Sequence, residues 1–333
     1  MAFRVMQVGV GGFGRRWVGA LSEAKGVKVV ALADINPEAL AAAQEKLSVP
    51  DSFCFKDFRK ALDTVEADAL INVTPPSVHR QVALYAFRRG LDVLTEKPLA
   101  DTMGNAKVMV EAARKARRKL MVSQNYRFQR WARTARRTIE KKKYGDLGHL
   151  SVKFFKALRP RTGFRRKMEH LLLVDMSIHH FDLIRYILGS EPIKIYTRTW
   201  NPKWSWSEGD VAAAVIIEMK NKATVVYDAN WVTTERQTTW NGDWVFQFAR
   251  GRLALRDDVL YEAKVGKEEK PARLAAMPCK GQEYSFLEFR RAIREKRQPE
   301  TSGKDNLASL AMVFAAIESS KRGRAVEVAK FLP

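Results

Sequence analysis

Phe3-Arg4-Val5-Met6-Gln7-Val8, running into Gly9-Val10-Gly11-Gly12-Phe13-Gly14, is the stretch on which the fold turns. The first six residues are mostly apolar and read as a short strand. The glycines follow at once, and Arg15–Lys25 is compatible with a helix. A G-x-G-x-x-G run between a strand and a helix is the pattern of a dinucleotide cradle. Gly9 would make the tight turn, Gly11 would leave room for a pyrophosphate, and Gly14 would let helix and strand pack. Gly12 and Phe13 complete the turn, and the helix N-terminus would offer N–H donors to the phosphates.

Strand-like and helix-like stretches alternate from here. Val27–Ala33, Ala69–Val73, Leu91–Thr95 and Leu120–Ser123 read as strands. Pro37–Leu47, Val78–Arg89 and Gly104–Arg118 read as helices, with Asn36 as an N-cap and Gly90 as a stop. Such alternation predicts an α/β domain, a parallel sheet covered by helices, over residues 1–123. Past Gln124 the pattern changes. Helices are expected at Arg130–Lys142, Met176–Leu188, Glu283–Glu295 and Lys304–Lys321. Extended stretches at Gly148–Ala157, Ile193–Thr199, Val211–Met219, Ala223–Trp231, Thr239–Ala249 and Arg252–Arg256 predict an α+β domain over 124–333 with a mainly antiparallel sheet. Asn221 and Gly251 stand where tight turns would join strands.

Two domains also fit the 333-residue length. No apolar run reaches the roughly 18 residues of a membrane helix, and Met1-Ala2-Phe3-Arg4-Val5 does not resemble a secretory signal. Cys54 and Cys279 lie far apart without metal-ligand spacing, so two thiols in a reducing, cytoplasmic setting are expected, with a disulfide the lesser option. No zinc-like cluster is present, and no metal is expected. Net charge is +22 and uneven: Lys107–Lys143 carries 14 Lys and Arg against Glu111 and Glu140, and Ser151–Lys167 adds seven basic residues and no acid. Such a field attracts anions, whether nucleic acid or an anionic substrate, or serves solubility alone.

Asp34 falls 20 residues after Gly14, at the end of the second strand. A carboxylate there accepts hydrogen bonds from ribose hydroxyls and repels a 2′-phosphate, so NAD is favoured over NADP. Together with Thr74-Pro75-Pro76, His79 and Glu96-Lys97-Pro98, the chain resembles the glucose–fructose oxidoreductase/inositol dehydrogenase (Gfo/Idh/MocA) family over nearly its full length. The resemblance implies that Thr74 and Pro75 lie along the cofactor, that Lys97 stands beside the nicotinamide, and that the Lys97–Pro98 bond is a candidate cis peptide. Asp175, His179 and Asp182 match the family's second-domain pattern, and Asn125-Tyr126-Arg127-Phe128 resembles the segment that opens that domain. Asn125 and Glu96 join the expected cofactor contacts, Glu96 chiefly as an anchor of the turn. His79 either fixes the cofactor loop or packs a helix N-terminus. Leu171-Leu172-Leu173 and Ser177 stand where the family commonly has glycines, which would reshape the pocket wall.

Oxidising a secondary alcohol requires a base and a nearby positive charge. Asp175 and His179, at i and i+4, would share one helical face. His179 is expected as general base, with Asp175 orienting its imidazole. Lys97 would bond the reacting oxygen and stabilise alkoxide character. His180, rotated about 100° from His179 on a helix, reads as packing or as support from behind the site, and Asp182 as structural. Trp200 and Trp206, in or next to a loop at Trp204–Asp210, are expected substrate contacts, as is Arg127. Arg161, Arg165 and Arg166 precede the catalytic helix and could meet a carboxylate or phosphate on a substrate.

The expected activity is an NAD(H)-dependent oxidoreductase acting on a sugar, cyclitol or polyol. Two alternatives use the same parts. One is sugar elimination or glycoside cleavage through a transient 3-keto sugar. The other is a nucleotide-sensing binding protein whose basic surface meets nucleic acid; the chain lacks a DNA-reading motif, which counts against it. The family resemblance also implies a dimer or tetramer assembled through the open face of the second-domain sheet.

Overall fold

The computed structural model describes residues 2–157 and 164–333. Arg161 lies outside the described residues. In chain order the first elements are β1 (Phe3–Val8), α1 (Gly14–Ser22), β2 (Val27–Ala33), α2 (Pro37–Leu47), β3 (Cys54–Phe55), α3 (Phe58–Thr64), β4 (Ala69–Asn72), α4 (Pro76–Arg88), β5 (Asp92–Thr95), α5 (Met103–Lys115) and β6 (Leu120–Val122). There follow α6 (Arg130–Glu140), β7 (Leu147–Phe155), a π-helical turn (Leu172–Ser177), α7 (Ile178–Leu188), β8 (Pro192–Trp200), β9 (Ala212–Met219), β10 (Thr224–Asn230), β11 (Asp243–Phe248), β12 (Gly251–Arg256), β13 (Val259–Lys264) and β14 (Lys270–Pro271). The last are α8 (Gly281–Arg294), α9 (Gly303–Arg322) and β15 (Val326–Glu327).

Six parallel strands form the first sheet, in the order β3-β2-β1-β4-β5-β6. The chain winds outward from β1 to β3, then returns to β4 and winds the other way. Ligands of such sheets bind outside the carboxyl ends of the strands at this reversal. Here those ends are Gly9 after β1 and Val73-Thr74 after β4. Val5, Met6, Leu32, Leu70, Ile71 and Val93 are fully buried within the sheet. Asn36 caps α2 by accepting from the Glu38 and Ala39 amides, with Pro37 in the first turn as the sequence predicts.

The second sheet has nine strands, β14-β13-β12-β11-β7-β10-β9-β8-β15. All its ladders are antiparallel except β10 with β7. β13 was not expected. It is joined to β12 by Asp257-Asp258, both at positive φ (50° and 64°), a primed hairpin turn built without glycine. Gly251 is not a turn residue but the first of β12. A Cβ there would lie 2.5 Å from the Ala263 carbonyl and 2.6 Å from the Tyr144 ring.

The compact units differ from the expected boundary at 123/124. One is Met1–Asn125 with Cys279–Leu307; the other is Tyr126–Pro278 with Ala308–Pro333. The returning segment joins the first unit through Thr301, whose carbonyl accepts from the Val122 amide (2.8 Å) and whose hydroxyl donates to the Val122 carbonyl (2.6 Å). Arg290 adds a bond to the Lys25 carbonyl (3.0 Å). Among the described residues no helix is long and apolar enough to cross a membrane.

Inside the second unit a charged cluster is buried. Arg127 donates from Nε and Nη2 to the two oxygens of Asp182, each at 2.6 Å, with side-chain exposures of 5% and 1%. Ser309 donates to Asp182 Oδ1 (2.7 Å) and accepts from Arg185 Nη1 (2.7 Å); the far edge of Arg185 holds Glu191. Every charge therefore has a partner, which a buried pair requires. Asp182→Ala removes the carboxylate that the buried Arg127 guanidinium and the Ser309 hydroxyl both bind. Urea denaturation should show a loss of about 3–5 kcal/mol; a loss below about 1 kcal/mol would show the cluster to be dispensable.

Candidate active site

The glycine turn divides into two kinds of glycine. A Cβ on Gly9 (φ +87°) would lie 2.6 Å from the Val73 carbonyl, and one on Gly14 would lie 2.4 Å from the Gly9 oxygen. These two are required by the protein's own backbone. Gly12 (φ +46°) has nothing within 4 Å of its Cβ position, and the nearest neighbour at Gly11 is Ala39 Cβ at 3.4 Å. That is the space a pyrophosphate needs against a backbone. Gln7 fastens the turn from within the sheet: its Nε2 donates to the Gly9 (2.9 Å) and Gly14 (3.0 Å) carbonyls. The sequence reading missed this residue, although an amide inside an apolar strand is itself a signal. Asp34 accepts from the Val10 (2.7 Å), Gly11 (3.0 Å) and Asn36 (2.9 Å) amides. Its side chain is thereby held at the end of β2, the position from which ribose hydroxyls are read in such folds. Phe13 in the glycine turn (42% exposed) and Ile35 next to Asp34 in the chain (87% exposed) are open apolar surface.

Lys97 stands just past β5 on a turn whose Lys97–Pro98 bond is cis. Glu96 anchors that turn: it accepts from the Trp17 indole (2.7 Å) and the Lys97 amide (3.1 Å). Burial pushes its carboxyl pKa up, against the pull of Trp17 and Lys97. His79, fully buried on α4, joins this turn to the one after β4. Its Nε2 faces the Thr74 carbonyl (2.8 Å), and its Nδ1 faces those of Pro98 (3.0 Å) and Leu99 (3.3 Å). Burial lowers its pKa, and the three carbonyls offset only part of that. His79 sits in the first turn of α4 with its ring on the strand-end turns, so both roles the sequence left open describe its place. Asn72, also missed, accepts from the Thr74 hydroxyl (2.7 Å) and amide (3.3 Å). The carboxyl edges of β4 and β5 are thus one hydrogen-bonded piece.

In the second unit the segment carrying Asp175 is the π-helical turn, followed by α7 with His179 in its first turn. The sequence predicted a plain α-helix here. π-turns occur often at functional sites, and nothing in the run Leu171–Leu173 announces one. Arg165 Nε donates to Asp175 Oδ2 at 2.7 Å, with side-chain exposures of 42% and 14%. The His179 ring stacks on Tyr126, centroids 4.3 Å apart and planes 16° from parallel. Tyr126 lay in the quoted family segment, but its contact with the imidazole was not foreseen. Arg127, an expected substrate contact, is placed instead in the buried pair with Asp182, because its planar fork matches that carboxylate. Asn125 closes the first unit, at the start of a short 3₁₀ turn.

Trp200 ends β8 with 40% exposure. Trp206 lies in the following loop, its indole nitrogen buried without a hydrogen-bond partner among the described residues. This loop is laced to the segment that precedes the π-turn. The Glu208 amide bonds the Arg166 carbonyl (2.9 Å), the Asp210 amide bonds that of Glu169 (2.8 Å), and the Leu172 amide reaches the Asp210 carbonyl (3.5 Å). Gly209 makes the close approach possible: a Cβ there would lie 2.1 Å from the Met168 carbonyl oxygen.

A family model for an oxidoreductase family with an NAD-binding Rossmann fold, GFO_IDH_MocA, matches residues 3–124, and a GFO/IDH/MocA C-terminal domain model matches 132–253. The chain belongs to the GFO/IDH/MocA oxidoreductase family. The uncharacterized protein y4oX of Sinorhizobium fredii is 32% identical, covering 100% of this chain and 97% of that protein. A D-apiose dehydrogenase of Paraburkholderia graminis is 25% identical, covering 98% and 90%. Among solved structures, an Agrobacterium radiobacter oxidoreductase in complex with NAD+, L-tartaric acid and magnesium has a TM-score of 0.90 at 22% identity, with full coverage of both chains. The GFO/IDH/MocA chain described here is therefore an NAD-binding oxidoreductase with a Rossmann domain and a mainly antiparallel second sheet.

His180, next to the candidate base, is fully buried. Its Nδ1 lies 3.0 Å from the Tyr227 hydroxyl, and that hydroxyl lies 3.0 Å from Ser177 Oγ. Burial drives its pKa down to about 3. A native pKa below the unfolded one means that the unfolded chain binds the extra proton. This contribution to stability is whole above about pH 6.5 and lost progressively toward pH 3, at up to roughly 1.4 kcal/mol per pH unit. Denaturation of His180→Phe at pH 7, 6, 5 and 4 should show a shallower acid decline than the parent. Parallel declines would remove His180 as a source of acid lability.

Proposed function

We propose that this chain interconverts a secondary alcohol and a ketone on a sugar, cyclitol or polyol, with NAD as the hydride partner. The observation that carries the reading is the His79 bridge, which ties the Lys97 turn to the Thr74 turn at the carboxyl edge of the Rossmann sheet. An ammonium group is thereby held on the side of the sheet where the glycine turn opens. The D-apiose dehydrogenase among the relatives supports the sugar class.

NAD held at the glycine turn and Asp34 would supply a hydride acceptor in its oxidised form and a hydride donor in its reduced form. Lys97 bonds the reacting oxygen and stabilises its negative character. His179 takes the hydroxyl proton in oxidation and returns it in reduction, and Asp175 supports its charged form. Tyr126 limits rotation of the imidazole by stacking on it. Gly11 and Gly12 receive the phosphates, and Asp34 the ribose. The free Cys54 and Cys279 support a reducing, cytoplasmic setting.

The test is a screen of aldoses, polyols, cyclitols and sugar acids with NAD and NADP, followed by absorbance of the reduced cofactor. Lys97→Met and His179→Phe should each lower kcat about 10²–10⁴-fold, with NAD affinity by calorimetry unchanged. Wild-type turnover in both variants would overturn the assigned roles.

The reading includes self-association. Tyr196, Ile216 and Val226 are direct cross-strand neighbours on β8, β9 and β10, and all three face outward at 38–46% exposure. A contiguous apolar row on an open sheet favours burial against a second copy. Ile216→Glu should shift the mass measured by analytical ultracentrifugation toward the monomer. An unchanged mass would exclude this face as the contact.

A further inference from the structure

The basic run along α6 splits into two faces with different fates. On one face Arg133 and Arg136 hold their guanidinium carbons 5.1 and 4.7 Å from the Tyr186 ring centre. Arg133 donates to the Tyr186 hydroxyl (2.7 Å), and Arg136 donates to the Tyr186 carbonyl (2.7 Å) and to Glu140 (2.6 Å). These cations serve packing. The other face, Thr134, Arg137, Thr138 and Lys141, follows helical spacing and lines a groove of about 590 Å³ with Arg273 and the apolar Leu274-Ala275-Ala276. The far wall is fixed to the helix by two bonds: Arg130 Nε to the Ala275 carbonyl (2.9 Å), and the Ala275 amide to the Thr134 hydroxyl (2.9 Å).

The groove has one acid, Glu262, already engaged by Lys143 (2.5 Å) and Tyr144 (3.1 Å). Arg137, Lys141 and Arg273 have no ion pair among the described residues. Three uncompensated cations in one concave site concentrate anions. We propose that this groove binds a small, multiply charged organic phosphate at a site separate from the glycine turn. A single carboxylate matches one of the three cations, whereas linked phosphates match all of them, and arginine forks suit phosphate oxygens. The apolar wall accepts the organic part, and the volume lies in the range of small-ligand sites. No aromatic side chain lines the groove, which disfavours a stacked single strand.

The full-length chain, saturated with NAD so that the glycine turn is filled, is titrated with sodium tripolyphosphate by calorimetry at low ionic strength. One site per chain is expected. The exposed double variant R137Q/R273Q should weaken it at least about tenfold while leaving NAD affinity and thermal stability unchanged. Absence of binding, equal binding by the double variant, or binding seen only without NAD would each overturn the proposal. So would binding of a short DNA duplex in place of tripolyphosphate, which would make the face a nucleic-acid surface.

Discussion

The first unit depends on one imidazole set among carbonyls. His79 is fully buried, and both its nitrogens point at backbone oxygens, Thr74 on one side and Pro98 and Leu99 on the other. A carbonyl only accepts, so a ring with one proton can satisfy one side and must face lone pairs on the other. The tension is tolerated because two strand-end turns are fixed at once. β4 and β5 are neighbours in the sheet, yet their pairing ends at Asn72 and Thr95. Beyond that point the His79 contacts, with the Glu96 amide bonded to the Asn72 carbonyl (2.9 Å), keep the two turns in step.

The sequence was most legible where one residue type has one physical use. Glycines at Gly9 and Gly14 mark places where a Cβ would strike backbone, so the turn could be read from composition and order alone. Asn36-Pro37 marked a helix start for a similar reason. Motif spacing also located the Glu96-Lys97-Pro98 turn and the helix carrying His179. Legibility failed where tertiary partners decide. Arg127 has the same chemistry whether it meets a substrate or Asp182; only the fold chooses. Tyr126 carries no mark of the imidazole it stacks on. The π-turn arises from hydrogen-bond registration across Leu172–Ser177, which side-chain pattern does not encode. Asp257-Asp258 lacks the glycine that usually betrays a primed turn, so β13 went unseen. A boundary at 123/124 does not carry Cys279–Leu307, where Thr301 reaches β6 and Arg290 the turn before β2 from a distant part of the chain.

Net charge gave the least direct information. The excess of +22 resolves into unlike parts. Arg127 and Arg185 are neutralised inside the second unit, Arg133 and Arg136 frame a tyrosine, and Arg165 covers Asp175. Counting cations along the chain treats these as equal, yet their electrostatic reach differs greatly with burial and pairing.

Gly209 has a consequence for how such a chain can diverge. The loop after β8 and the strip before the π-turn meet through backbone bonds, to which the Ser207 hydroxyl on the Arg166 carbonyl (3.4 Å) and the Arg166–Glu208 ion pair (3.6 Å) are added. A Cβ at Gly209 would lie 2.1 Å from the Met168 oxygen and 2.4 Å from that of Glu169, on the strip that leads into the π-turn. The loop bearing Trp206 and the segment bearing Asp175 are coupled at that seam, so the fold accepts new bulk on the loop's outward side chains and not in the backbone where the two strips touch.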